Sequence, residues 1–195
     1  MKKLWDEVNK FIKKYHLDAL HEVVIFCIIT ITIHFAYRYW ANQLHYKPIF
    51  EIMDRAHESM VDIVFRQSSW FVDHVLNIPF TYEENKIMRF ENGGFVGVNQ
   101  GCSGLKPILQ FVLLMLIYPG PWKRKLWFIP LGVIIVHLTN IFRICSLTVV
   151  TITIPQQWHL IHDYILRPFF YVVIFLLWVW WVERLTKSSR LGKSG

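Results

Sequence analysis

The sequence predicts an all-α integral membrane protein with about four transmembrane helices, an external amphipathic helix and a short β-hairpin. Three observations lead there. Of the 195 residues, 54% are hydrophobic and only 18% charged, with a mean hydropathy of +0.33, a balance typical of chains that bury apolar surface in lipid. Apolar runs of spanning or near-spanning length recur along the chain. Basic residues gather at the flanks of those runs, and Trp40, Trp122, Trp127, Trp178, Trp180 and Trp181 stand near their ends, as expected of indoles anchored at a lipid–water boundary. The net charge of +7 is spread over these flanks and does not form one aromatic-laced patch, so nucleic acid is not an expected partner.

The chain begins with a lysine-rich amphipathic segment, residues 1–22, in which Lys2, Lys3, Lys10, Lys13 and Lys14 alternate with Leu4, Val8, Phe11 and Ile12. Val23 to Trp40 is long enough for the first crossing. That run starts too late and has no small-residue site behind it, so no cleavable signal peptide is expected. Residues 48–78 place Ile49, Ile52, Met53, Met60, Ile63 and Val64 against Glu51, Asp54, Arg55, Glu58, Asp62 and Arg66 at helical spacing. This fits a surface-lying or partly inserted helix better than a spanning one.

Ile87–Phe90 and Phe95–Val98 flank the turn signal Glu91-Asn92-Gly93-Gly94, which predicts a β-hairpin leading to Cys102. Leu105 to Tyr118 is the second crossing. At a rise of about 1.5 Å per residue it covers only about 21 Å of a hydrocarbon core about 30 Å thick, so its outer end is expected to be recessed. Pro119-Gly120-Pro121 breaks that helix and Lys123-Arg124-Lys125 follows. The third crossing runs from about Leu126 to the neighbourhood of Thr148, and the fourth from about Ile165 to Val182. In domain terms, residues 1–22 are a cytoplasmic N-terminus, 23–182 a single transmembrane domain with an external insert at about 41–104, and 183–195 a basic cytoplasmic tail. No internal repeat or low-complexity segment is present.

The basic residues before the first crossing, at 123–125, and at Arg184, Lys187, Arg190 and Lys193 all fall on one side, which the positive-inside rule makes cytoplasmic. Both termini are then cytoplasmic, in a multi-pass protein of the inner (cytoplasmic) membrane. Cys102, Arg143 and His162 converge on the external face, Arg143 because it lies about 24 Å beyond Trp127 along the third helix.

Each of the three suits chemistry. Cys102 precedes a helix that Ser103 or Gly104 is placed to cap, with Pro107 in its first turn. A thiol there meets free backbone N–H groups and the positive end of a helix dipole, a setting suited to a nucleophilic sulfur. An arginine inside a membrane helix costs about 2.5–3.5 kcal/mol on insertion scales, so Arg143 is expected to face the bundle interior and not merely to snorkel. His137, Asn140 and Arg143, spaced by three, form a polar stripe that allows Asn140 to hold the guanidinium. His162, with His159 as a rival, is the candidate proton carrier. Asp163 is not expected to orient it, because adjacent helical residues point apart. Cys27 and Cys145 read as small buried hydrophobes. No spacing supports a metal site, and no cofactor is expected.

A thiol, a base and a fixed cation suit acyl transfer through a thioester. At these residues the chain resembles the exosortase and archaeosortase family of integral membrane cysteine transpeptidases. Cys102-Ser103-Gly104-Leu105 heads one membrane helix, Asn140-Ile141-Phe142-Arg143-Ile144 lies near the end of the next and His162 precedes the last, as in a compact bacterial exosortase-like member. The resemblance implies a Cys102, Arg143, His162 active site, supported by Asn140, Ser103 and Gly104. It implies a thiol protease or transpeptidase that cuts the C-terminal sorting signal of exported proteins, a motif followed by a membrane helix and a basic tail, and passes the acyl group to an unknown acceptor. The chain departs from the pattern in being shorter than eight-helix members, in carrying Leu166 where a glycine is frequent, and in having Asn99-Gln100 in place of an acidic residue. The alternative is a non-catalytic membrane scaffold for surface polysaccharide or secretion assembly; lipid or thiol acyl transfer would use the same nucleophile.

Overall fold

The computed structural model describes residues 18–43, 47–84, 86–118 and 120–186. Most of the expected N-terminal amphipathic segment and the tail from residue 187 onward lie outside the described residues. The chain divides into two compact units, Met1–His45 and Tyr46–Gly195. In the first, α1 (Asp18–Gln43) is a 26-residue helix, about 39 Å long at a rise of about 1.5 Å per residue. Val24, Ile28, Ile31 and Phe35 are exposed along it, three and four residues apart, and so form one apolar stripe.

The second unit begins with α2 (Lys47–His74), followed by β1 (Phe80–Glu83), β2 (Ile87–Phe90) and β3 (Phe95–Gly97). A 3₁₀ turn at Gln100–Cys102 leads to α3 (Leu105–Ile117), and α4 spans Trp122–Thr153. The last helical run opens with a 3₁₀ turn at Pro155–Gln157 and a short helix α5 (Trp158–Leu160). A π-helical turn at Ile161–Leu166 carries it into α6 (Arg167–Trp180), and a second π turn at Trp181–Thr186 ends it.

The expected hairpin is present as β2 and β3, but it is two-thirds of an antiparallel sheet ordered β1-β2-β3. The third strand pairs Phe80 with Phe90 and Tyr82 with Met88. Its aromatics hold it: the Phe80 ring lies 4.9 Å from Tyr82 and 6.3 Å from Phe90, and Tyr82 meets Phe65 of α2 at 6.0 Å. One face of the sheet, carrying Met88, Phe90 and Val96, packs with Val98 into a core with Val61, Val64 and Val72 of α2 and Ile144 and Cys145 of α4. The amphipathic reading of α2 therefore holds as a helix but not as a stripe. Val61, Val64, Ser68 and Val72 face inward, whereas Ile52 and Ile63 are exposed. Ser68 sits inside without penalty because its hydroxyl donates to the Val64 carbonyl at 2.7 Å.

α3, α4 and α6 pack together over a second apolar region. A Cβ on Gly132 would fall 2.1 Å from Cζ of Phe111, so only glycine lets the ring of α3 press on the backbone of α4. Phe128 meets Trp181 at 5.1 Å, and Tyr118 meets Trp178 at 5.8 Å. Trp178 and Trp181 are thus core residues and not boundary anchors, while Trp122, Trp127 and Trp180 are exposed; the Trp40 side chain is outside the described set. Thr148 and Thr151, buried on α4, donate to carbonyls one turn back, which removes the cost of hydroxyls in an apolar setting.

Among the described residues, two helices are long and apolar enough to cross a membrane, Trp122–Thr153 and Pro155–Glu183. Two shorter apolar stretches, Val23–Ala36 and Leu105–Ile117, coincide with the expected first and second crossings.

Candidate active site

Cys102 closes the 3₁₀ turn and is half-buried. Its N–H is met by the Asn99 carbonyl at 2.9 Å and by the Asn99 side chain at 3.2 Å, so Asn99 caps the turn in the place where an acidic residue is frequent. Gly104 follows with φ +77°, a left-handed bend that separates the cysteine from the first turn of α3. The fully buried Asn140 reaches across and donates from Nδ2 to the Cys102 carbonyl at 2.8 Å. This corrects the expectation that Asn140 holds the guanidinium: it holds the backbone of the cysteine. A Cβ at Gly104 would come within 2.7 Å of that same Nδ2, so the glycine makes room for the Asn140 amide.

Ser103 is also turned away from a simple cap. Its hydroxyl donates to the Gln100 carbonyl at 2.8 Å and accepts from the Leu105 N–H at 3.3 Å. Because its single proton is committed, the contact at 2.9 Å to Nδ1 of His57 must be donated by the imidazole. His57 comes from α2. Burial holds the His57 imidazole below its ordinary value of 6.5, against weaker opposing pulls from Asp54 and the Gln100 backbone.

Arg143 is buried in the second half of α4. Its Nη2 donates to Nε2 of His162 at 2.8 Å, and Cys102, lining the same cavity, is close enough to act electrostatically on its guanidinium. Its Nε has no partner among the described residues. The Phe170 ring lies 5.8 Å from the guanidinium carbon. His162 is fixed on three sides: Arg143 on Nε2, the Trp158 ring stacked at 4.6 Å, and Asp163 Oδ1 2.6 Å from Nδ1. Facing a carboxylate at one nitrogen and a pure donor at the other, the ring carries its proton on Nδ1 and presents Nε2 as acceptor.

The Asp163 contact overturns the expectation drawn from helical geometry. These two residues lie in the π-helical turn, where the widened backbone departs from ordinary helical spacing, and Nδ1 is the ring nitrogen nearest the backbone. Arg167, one turn on, ion-pairs with Asp163 at 3.2 Å. His159 is exposed and meets the Trp158 ring edge-on, whereas His162 is the one beside Arg143. His137, third in the polar stripe, contacts Gln67 of α2 at 2.7 Å instead. Cys145 is buried in the core, but Cys27 is exposed, contrary to expectation.

Cys102, Arg143 and His162 line one cavity of about 740 Å³, walled by β3, α3, α4 and α6. Lys106 and Arg167 also line it, and among the described residues no aspartate or glutamate does. Deeper in, Gln110 is buried with its Nε2 unpaired. Among the described residues no group of three or more His, Cys, Asp or Glu is arranged to hold a metal ion. The residues that sequence reasoning passed over are Asp163, rejected on ideal helix geometry, and His57, 46 residues from its partner with no local pattern to mark it.

The fold and cavity define a helical membrane protein with a thiol, a guanidinium and an imidazole gathered in one cleft. The family model described as transmembrane exosortase matches residues 25–179, and the chain belongs to that family. Membership associates it with the membrane and with protein sorting or processing, in a family of generally cysteine-peptidase character. No curated protein and no solved structure matches the chain.

Proposed function

We propose that the protein is a membrane-embedded cysteine peptidase or transpeptidase that cleaves the C-terminal sorting signal of exported proteins, with Cys102 as nucleophile, Arg143 as the fixed cation and His162 as proton carrier. The observation that carries the reading is the position of Arg143, whose guanidinium donates to His162 Nε2 and shares with Cys102 one cavity that no carboxylate among the described residues lines.

The chemistry follows from those contacts. A scissile carbonyl entering beside Cys102 offers its oxygen to the guanidinium, which draws the Arg143 donor off Nε2. The freed Nε2 takes the thiol proton, sulfur attacks the carbonyl carbon, and the resulting oxyanion is held by Arg143. Asp163 steadies the imidazolium through Nδ1–H, as the carboxylate does in other triads. The imidazolium then gives its proton to the departing amine, leaving a thioester on Cys102. An acceptor amine or hydroxyl, or water, attacks the thioester and restores the thiol, its own proton returning through His162.

In this reading residues 23–182 form one membrane domain crossing four times, with both termini cytoplasmic and the cleft on the external face of the inner membrane. Support comes from the two long apolar helices, the two shorter apolar stretches and the one-sided basic residues of the sequence. Substrates carry a short motif, a membrane helix and a basic tail.

The test is co-expression with an exported protein bearing such a tail. Cys102→Ala, Arg143→Ala and His162→Ala should each stop the mobility shift of the substrate, while Cys145→Ala should not. Unchanged processing by Cys102→Ala protein would remove the nucleophile and return the chain to the scaffold reading.

A further inference from the structure

The cysteine turn is strapped from outside as well as from beneath. From α4, Asn140 grips the Cys102 carbonyl. From α2, the His57 imidazole donates to the Ser103 hydroxyl, which in turn bonds the Gln100 carbonyl and the first N–H of α3. The Gln100 side chain adds a longer contact to Asp54, also on α2, at 3.4 Å. Ser103 is almost wholly buried, so no water can take over the imidazole's part without the turn opening. One grip falls on Cys102 itself and the other on the next residue, and the cysteine sulfur must hold its place in the cavity it shares with Arg143 to within a fraction of an ångström for attack to be productive.

We infer that His57 is a positioning residue for Cys102, acting through Ser103, and that the amphipathic helix α2 belongs to the active site as the element that sets the nucleophile's place. The inference rests on the reading of Cys102 as nucleophile. It also gives α2 a task beyond covering the sheet. Neither His57 nor Ser103 is among the residues lining the cavity, so His57 acts on the cysteine and not on a substrate held there. Its loss acts on the rate of attack and leaves binding in the cavity alone.

The contact uses Nδ1, and an asparagine amide reaches the same distance from the backbone as that nitrogen, whereas leucine offers bulk without a donor. His57→Leu should lower kcat for processing at least about tenfold with KM within about twofold, and His57→Asn should recover most of the loss. Ser103→Ala should reproduce the leucine phenotype, and the His57→Leu/Ser103→Ala pair should be no slower than the slower single variant, since both cut one strap. A second measurement needs no substrate: the labelling rate of Cys102 by a membrane-impermeant maleimide, read on the Cys102 peptide by mass spectrometry. It should fall at least about threefold in His57→Leu and return in His57→Asn, as the sulfur swings from the guanidinium and back. If the parent protein processes nothing, the peptidase reading fails while the labelling comparison still decides the strap. Parent-like kcat and labelling in His57→Leu, or a His57→Asn protein no better than His57→Leu, overturns the positioning role.

Discussion

Two buried cations stand in opposite halves of α4, and they are held in opposite ways. Lys125, in the first turn, donates its ammonium to the carbonyls of Leu116 and Tyr118 at 3.1 and 2.7 Å, where α3 ends, and lies 4.7 Å from the Trp122 ring. Arg143, about 27 Å further along, meets no backbone carbonyl among the described residues; it donates to an imidazole, its Nε has no partner there, and a cavity it shares with the Cys102 thiol opens in front of it. The lysine satisfies carbonyls that every helix end leaves over, so its cost of burial is offset within the fold. The arginine is left incompletely satisfied among groups that can exchange protons. Burial of a charge is therefore not the mark of a site; what the charge is paired with is.

The sharpest way to break this contrast is to exchange each cation for a near relative. Arg143→Lys keeps the charge but replaces a planar fork with one ammonium, which cannot hold the thiol and the imidazole together, so processing should fall at least about 100-fold. Lys125→Met should do the reverse. It orphans two carbonyls at the end of α3, lowering stability by about 1–3 kcal/mol in detergent unfolding, while kcat per folded molecule stays at the parental value. If Arg143→Lys costs more stability than activity, or Lys125→Met more activity than stability, the two cations do not divide as described.

The same contrast explains what could be read from the sequence. Lys125 was legible only as one of three basic residues in a loop, because its carbonyl partners belong to a helix end whose position is set by packing. Arg143 stood out at once, since an arginine among Ile, Phe and Leu has no other easy explanation. The helices and the hairpin were legible from apolar runs and the Asn-Gly-Gly turn. β1 was not, because Phe80-Thr81-Tyr82-Glu83 follows a proline and is largely exposed, so no buried alternation marks it. Of the site, Cys102, Arg143 and His162 follow from chemistry and order along the chain. The roles of Asn140, Asp163 and His57 do not: the first depends on how close Gly104 lets α4 approach, the second on a π turn, and the third on where α2 docks.

The approach at Gly104 gives the next prediction. Gly104→Ala forces a Cβ into a left-handed backbone, costing roughly 1–2 kcal/mol, and drives it against the Asn140 amide at 2.7 Å. The unfolding midpoint should drop accordingly, and Gly104→Ala combined with Asn140→Ala should lose less than the sum of the two, because the second change removes the obstacle. Fully additive losses would mean that the glycine and the asparagine are not in contact.

The smallest effect is the share of the pH dependence of stability that arises at His57. Burial, opposed by Asp54 and the Gln100 backbone, keeps its native imidazole below 6.5. As the pH falls through about 6.5 the unfolded chain takes up a proton that the native ring declines, so stability is lost on acidification from about 6.5 down to the native value and changes no further beneath it. Above about 6.5 both states are neutral and the strap is intact. His162 titrates in the same chain, so the quantity to measure is a difference. Between about pH 7.5 and pH 5.5 the unfolding midpoint of the parent should fall further than that of His57→Asn, whose amide does not titrate. Equal falls would assign the acid sensitivity to His162 or to other groups, and would leave α2 attached to the cysteine turn by contacts indifferent to protons.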